Sequence, residues 1–204
     1  MNRRNALKGL GLSIGYTIAT PTIISMLQSC KTEADLWTPI FFTMDEGIIL
    51  KNLIDLILPK TQNTPGALDV NVPEFLDLYI SKTYDELKQK KYKEGLTAII
   101  KALPITEKGV SDLETENYDA LLAKYLKISK EQQLVYRDYN DEKDPENEDA
   151  IIFQALDNIR NSSIWAFRTS EQIGENVLAY DPIPGSQKGC IPLNEATGGK
   201  AWSL

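Results

Sequence analysis

The chain has 204 residues, with 29 acidic against 22 basic side chains and a net charge of −7, a balance that disfavours the phosphate backbone of nucleic acid. No histidine occurs, which removes the Ser-His-Asp triad, the Cys-His dyad, the usual zinc sites and Cys-x-x-Cys-His haem attachment. No Gly-x-Gly-x-x-Gly or other phosphate-cradling loop is present, so the chain lacks most of the standard equipment for catalysis.

Residues 1–29 have the order of an export signal. A basic head (Arg3, Arg4, Lys8) precedes a stretch without charge from Gly9 to Cys30. Gly11, Gly15 and Pro21 interrupt its apolar middle, which suits a cleaved signal better than a spanning helix. The stretch from Asn2 to Lys8 resembles a twin-arginine signal, Ser/Thr-Arg-Arg-x-Phe-Leu-Lys. Arg3, Arg4, Leu7 and Lys8 match, and Asn2 and Ala6 depart. The other reading is an ordinary Sec signal with adjacent arginines. The exit, Leu27-Gln28-Ser29-Cys30, resembles a lipobox in which Cys30 takes a lipid and becomes the first mature residue. Otherwise Cys30 is incidental and cleavage falls nearby. Residues 30–42 then form a tether. The mature chain carries a charge of about −10, so a lipid anchor rather than charge would hold it at a membrane. The expected location is the periplasm or cell envelope.

Helix signals dominate from Thr43 onward. Thr43-Met44-Asp45-Glu46 has the form of a capping box, and Ile48, Ile49, Leu53, Leu56 and Ile57 share a helical face up to Pro59. Thr64-Pro65-Gly66 marks a turn. A second helix restarts near Asn71 or Val72 with Pro73 in its first turn, and Phe75, Leu76, Tyr79, Ile80 and Leu87 supply its apolar side. Leu96, Ile99, Ile100 and Leu103 continue the spacing to Pro104. Ser111-x-x-Glu114 precedes a helix through Tyr118, Leu121, Leu122, Tyr125 and Leu126, and Ser129-x-x-Gln132 caps the next.

Residues 141–149 are acidic but lack the ligand spacing of a calcium loop, and they read as a solvated loop. A long helix follows from Ile151 to Phe167, weakest from Asn158 to Ser163. Its Trp165 and Phe167 read as core or interface aromatics. From Gly174 the periodicity ends among prolines and glycines. The expected fold is all-α: a helical domain over 43–173 and an irregular C-terminal strap over 174–204. Cys190, the second of two cysteines, reads as a buried small apolar residue or as a partner for another chain's thiol.

Several stretches together resemble one family. Ile57-Leu58-Pro59-Lys60-Thr61-x-x-Thr64-Pro65-Gly66-Ala67, Val72-Pro73-x-Phe75 and Thr169-Ser170-Glu171-x-Ile173-Gly174 are similar to the small subunit of gluconate 2-dehydrogenases (the subunit 3 family). So are Tyr180-Asp181-Pro182-Ile183-Pro184-Gly185, Gly189-Cys190-Ile191-Pro192 and Ala201-Trp202. The resemblance implies a non-catalytic partner of a large flavoprotein of the glucose-methanol-choline type, which binds FAD and oxidises a sugar or sugar acid. A cytochrome c subunit often takes the electrons. The small subunit binds the flavoprotein, and its signal carries the cofactor-loaded partner across the membrane.

On this reading the chain holds no catalytic residue, metal or cofactor of its own. Tyr180, Ile183, Ile191 and Trp202 are the expected interface anchors, because binding energy concentrates in aromatic and well-buried apolar residues. A stand-alone envelope lipoprotein that binds carbohydrate or another envelope protein is the alternative. Glu171 with Asp181 would be the carboxylate pair of a glycosidase-like enzyme, although such residues are more often caps and turn formers.

We predict that Arg3→Lys with Arg4→Lys blocks export, and that Cys30→Ala releases the protein from membranes. Mass spectrometry of the mature N-terminus should find a lipidated cysteine.

Overall fold

A computed structural model describes residues 37–107, 109–140, 147–183, 185 and 189–203. The signal residues Arg3, Arg4, Leu7 and Lys8, the lipidation candidate Cys30 and most of the acidic stretch 141–149 lie outside the described residues. The chain divides into two units, Met1–Thr38 and Pro39–Leu204, and the helices among the described residues lie in the second. It is all-α. The main helices are α1 (Met44–Ile57), α2 (Val72–Thr83), α3 (Glu86–Ala102), α4 (Thr115–Leu126), α5 (Lys130–Arg137) and α6 (Glu148–Thr169). The short α7 (Glu171–Asn176) and α8 (Leu193–Thr197) complete the order among the described residues. Among those residues, no helix is long and apolar enough to cross a membrane.

The caps follow local chemistry. The box at α1 is complete: Glu46 N–H donates to Thr43 Oγ1 at 3.3 Å, and Thr43 N–H donates to Glu46 Oε2 at 2.7 Å. Ser129 caps α5, accepting from Gln132 N–H at 3.2 Å. The expected cap at Ser111 moves: Ser111 lies in a 3₁₀ turn, and Glu114 with Asn117 forms the box that starts α4. Asn71 gives α2 no side-chain cap and sits in the left-handed region at φ 54°. Leu87 does not belong to the second helix. That helix stops at Thr83, and Asp85 caps a new one by accepting from Lys88 N–H at 2.8 Å. Gln89 Nε2 closes the break, donating to the carbonyls of Ile80 and Tyr84 at 3.2 Å each. Leu87 is left exposed on α3.

Helix α6 is the centre, in contact with each of α1–α5 and with α7. Its weak-looking stretch, residues 158–163, does not break it. Ser163, fully buried, donates its hydroxyl to Ile159 O at 2.6 Å, as a mid-helix serine can. Ile49, Leu53, Leu76, Ile80, Leu96, Ile99, Phe153 and Leu156 are also fully buried. Helices α3 and α6 approach closely at Gly95, where a Cβ would lie 2.8 Å from the Ala155 Cβ.

One buried carboxylate fixes how the chain enters the domain. Asp77 on α2 is 1% exposed. It accepts three successive backbone N–H groups, from Ile40 at 2.6 Å, Phe41 at 2.9 Å and Phe42 at 3.0 Å. Residues 40–42 are therefore held to the helical body ahead of Thr43, and Phe42 is buried. We predict that Asp77→Ala, which leaves these donors unpaired, costs about 3 kcal/mol. Thermal unfolding should show a midpoint lowered by roughly 5–10 °C for a domain of this size.

Candidate interaction surface

Contacts of Phe75 with Trp165 and of Gly174 with Ser203 bring several, though not all, of the stretches singled out in the sequence to the C-terminal end of α6. The first forms a closed loop after α1. Ala67 N–H donates to Leu58 O at 2.9 Å, and Thr61 N–H to Thr64 O at 3.0 Å. Gly66 N–H donates to Asp69 Oδ2 at 2.8 Å while Lys60 pairs with Asp69 Oδ1 at 2.9 Å. The Lys60 ammonium, with the Gly66 N–H behind it, holds the Asp69 carboxyl below its usual range. Glycine is required at 66, since a Cβ would lie 2.7 Å from the Lys60 backbone nitrogen. Val72 N–H then donates to Ala67 O at 3.1 Å and leads into α2.

On α2, Phe75 and Leu78 lie three residues apart on one outward face, 42% and 46% exposed. Phe75 meets Trp165 of α6 at 5.7 Å between ring centroids, and Tyr79 meets both rings, at 5.8 and 5.1 Å. Trp165 is itself 40% exposed. One turn later α6 ends at Thr169, and α7 begins at Glu171.

The expected strap boundary at Gly174 falls inside α7, where that residue has a packing role. A Cβ there would lie 3.0 Å from Ser203 Oγ, so the absent side chain lets the chain's end approach. Ala179 N–H donates to Ala201 O and Ser203 N–H to Ala179 O, both at 2.8 Å, a parallel bridge that closes the strap at its base. The strap also holds α8, ended by Gly198 at φ 63°. Its four expected anchors are exposed: Tyr180 at 50%, Ile183 at 84%, Ile191 at 37% and Trp202 at 52%. Trp202 lies in the bridge at the base, and Ile183 and Ile191 lie between its two ends.

Cys190 departs from the expected burial. It is exposed, with φ 56°, between Gly189 and Ile191 in the extruded part of the strap. Glu171 is exposed at the first position of α7, and Asp181 accepts from Ile183 N–H at 3.3 Å, a turn contact. Asn147 caps α6, accepting from Ala150 N–H at 3.1 Å, so the acidic run ends as a helix start. Among the described residues, no group of three or more Cys, Asp or Glu could hold a metal ion.

Two clefts run beside α3 and α6. The larger, about 680 Å³, runs between α3 and α6 past Tyr92, Gly95 and Asn158. Much of its polar lining is engaged: Gln154 Nε2 donates to the carbonyls of Tyr136 and Tyr139 at 2.9 Å each, and none of Lys91, Tyr139 and Asn140 is free. Burial, and then the neighbouring Tyr84, pushes the Tyr92 phenol well up, so it stays neutral. The second, about 640 Å³, is edged by Lys101, Lys124 and Asp149. Tyr125 donates to Asp149 at 2.8 Å there, a structural contact between α4 and α6.

Helices with rings exposed at one end and a strap clamped at its base make up this surface. The family model for gluconate 2-dehydrogenase subunit 3 matches residues 44–185, and the chain belongs to that family. No curated protein and no solved structure matches it. The matched span takes in the loop after α1, Phe75, Trp165, Gly174, Tyr180 and Ile183, whereas Ile191 and Trp202 lie beyond it.

We predict that Gly174→Leu displaces Ser203 and opens the strap at its base. Limited trypsin digestion should then cut faster after Lys200, with helical circular dichroism unchanged.

Proposed function

We propose that this chain is the non-catalytic small subunit of an exported dehydrogenase of the glucose-methanol-choline type, which carries FAD and oxidises a sugar or sugar acid. The family match over residues 44–185 carries this reading, because the family is that of an accessory subunit of a dehydrogenase complex. In the proposed assembly the chain binds the flavoprotein and supports its export by the twin-arginine route, with Cys30 as the lipid anchor in the envelope. FAD belongs to the partner, and a cytochrome c subunit is the further member to which electrons pass. The exposed anchors on a clamped strap support the binding role, since a fixed base reduces the ordering cost of association.

The test is affinity purification of the tagged chain from membranes, with the flavin spectrum and mass spectrometry of whatever accompanies it. A large flavoprotein is expected. Its absence, with another envelope protein or a carbohydrate bound instead, would overturn the proposal. We predict that Tyr180→Ala and Trp202→Ala each cost about 2 kcal/mol of binding as hot spots, or about thirtyfold in Kd. Deletion of residues 180–204 should abolish co-purification and leave the helical core before residue 174 folded. A melted core with the partner retained would put the strap on its own domain instead.

A further inference from the structure

We propose that the outward face of α2 with Trp165 is a second half of the same docking surface, so that the flavoprotein lies across the C-terminal end of α6, held by α2 on one side and the strap on the other. This rests on the proposed function and extends it to residues outside the strap.

Area is the first reason. The four strap anchors together expose roughly 450 Å², given full aromatic areas of about 150–250 Å² each, whereas a standard interface takes about 800 Å² from each partner. Those four side chains cover about half of that area. Leu193 of α8, 63% exposed and itself part of the strap, adds roughly 100 Å², and Phe75, Leu78 and Trp165 outside the strap contribute roughly 250 Å² more on the same basis. The combined surface reaches the size of a stable interface.

Continuity is the second. Trp165 and Arg168 lie three residues apart on one face of α6. A Cβ at Gly174 would lie 3.8 Å from Arg168 O and 3.0 Å from Ser203 Oγ, next to Trp202. The aromatic face and the strap's base are thus linked through adjacent residues of α6 and α7.

The third is preorganisation. Phe75, Tyr79 and Trp165 already hold one another by ring contacts in the free chain, so little side-chain freedom remains to be lost on binding. The other exposed apolar residues lack this. Leu134 and Val135 stand on the short α5, and Ile40, Met44 and Ile48 lie in or adjoin the tether. Finally, Phe75, Leu78 and Trp165 all lie within the family match, as a surface for the family's shared association should, whereas two strap anchors do not.

The test is co-expression of the full chain with the FAD-binding subunit of a gluconate 2-dehydrogenase, followed by measurement of Kd between the purified subunits. Leu78→Arg is the main variant, because Leu78 makes no ring contact, and Phe75→Arg is the second. Leu134→Arg is the control on the far helix. Circular dichroism confirms folding, and Leu78→Arg carries the test if Phe75→Arg unfolds. The expected result is binding weakened about tenfold or more by the α2 variants, with the control unchanged. Loss on deleting residues 180–204 with full binding by Leu78→Arg would overturn this inference and leave the proposed function standing. Equal weakening by Leu134→Arg would also overturn it. A wild-type chain that retains no flavoprotein would overturn both.

Discussion

The burial of α6 is the constraint on which the rest depends. A helix of 22 residues spans about 33 Å and touches α1 to α5 along its length. It therefore sets the spacing and order of everything packed around it. Its N-terminal half carries structural work: Gln154 donates to the carbonyls of Tyr136 in α5 and Tyr139 just after it, and Asp157 accepts from Arg137 at 3.2 Å and also pairs with Arg160. Its C-terminal end holds the features that face outward, Trp165 and then the turn into α7. Packing demand is met along the middle, which leaves one end free to carry large exposed rings.

The buried acids show how an acidic domain takes charge into its body. Asp77 is satisfied by three backbone amides, Asp157 by two guanidinium groups, and Glu46 by the Thr43 N–H and the Lys93 ammonium. Lys93 also lies 4.6 Å from the centre of the Phe41 ring, so its charge has a π-face as well as a carboxylate. Each arrangement ties two separate elements: Asp77 joins the incoming segment to α2, Asp157 joins α5 to α6, and Glu46 joins α1 to α3. Deleting either partner of such a contact leaves a buried polar group unsatisfied, which is why these contacts fix register as well as adding stability.

The helical content was legible because apolar spacing and caps agreed. Thr43 with Glu46 and Ser129 with Gln132 are short-range signals whose geometry depends little on the rest of the fold. The failures share a cause: the deciding partner lay farther along the chain. The break between α2 and α3 is closed by Gln89, a residue whose type alone announces nothing. Asp77 carries no signal within its own helix, and only the approach of residues 40–42 makes it a clamp. Phe75 was assigned to the apolar side of its helix, which is correct as to type, but its neighbour Trp165 lies 90 residues away and leaves both rings half in solvent. Cys190, expected to be buried, sits in a segment extruded between two backbone hydrogen bonds that no periodicity reveals.

Those two hydrogen bonds also explain how an aperiodic strap fits a compact domain. Residues 180–201 have no helical or strand period long enough to bury a face of their own. The parallel bridge and the Gly174 approach anchor only the base, and they do so through backbone groups that need no particular side chain beyond a missing one. Among the described residues between the two ends, Ile183, Ile191 and Leu193 are left exposed. Ile183, at 84% exposed, is the extreme case: an apolar residue held in water by a fixed base. Burying such a side chain contributes about 1.5–3 kcal/mol, a gain its own domain forgoes. The domain keeps its rigid core at α6 and leaves that gain available at the one end where α2, α7 and the strap come together.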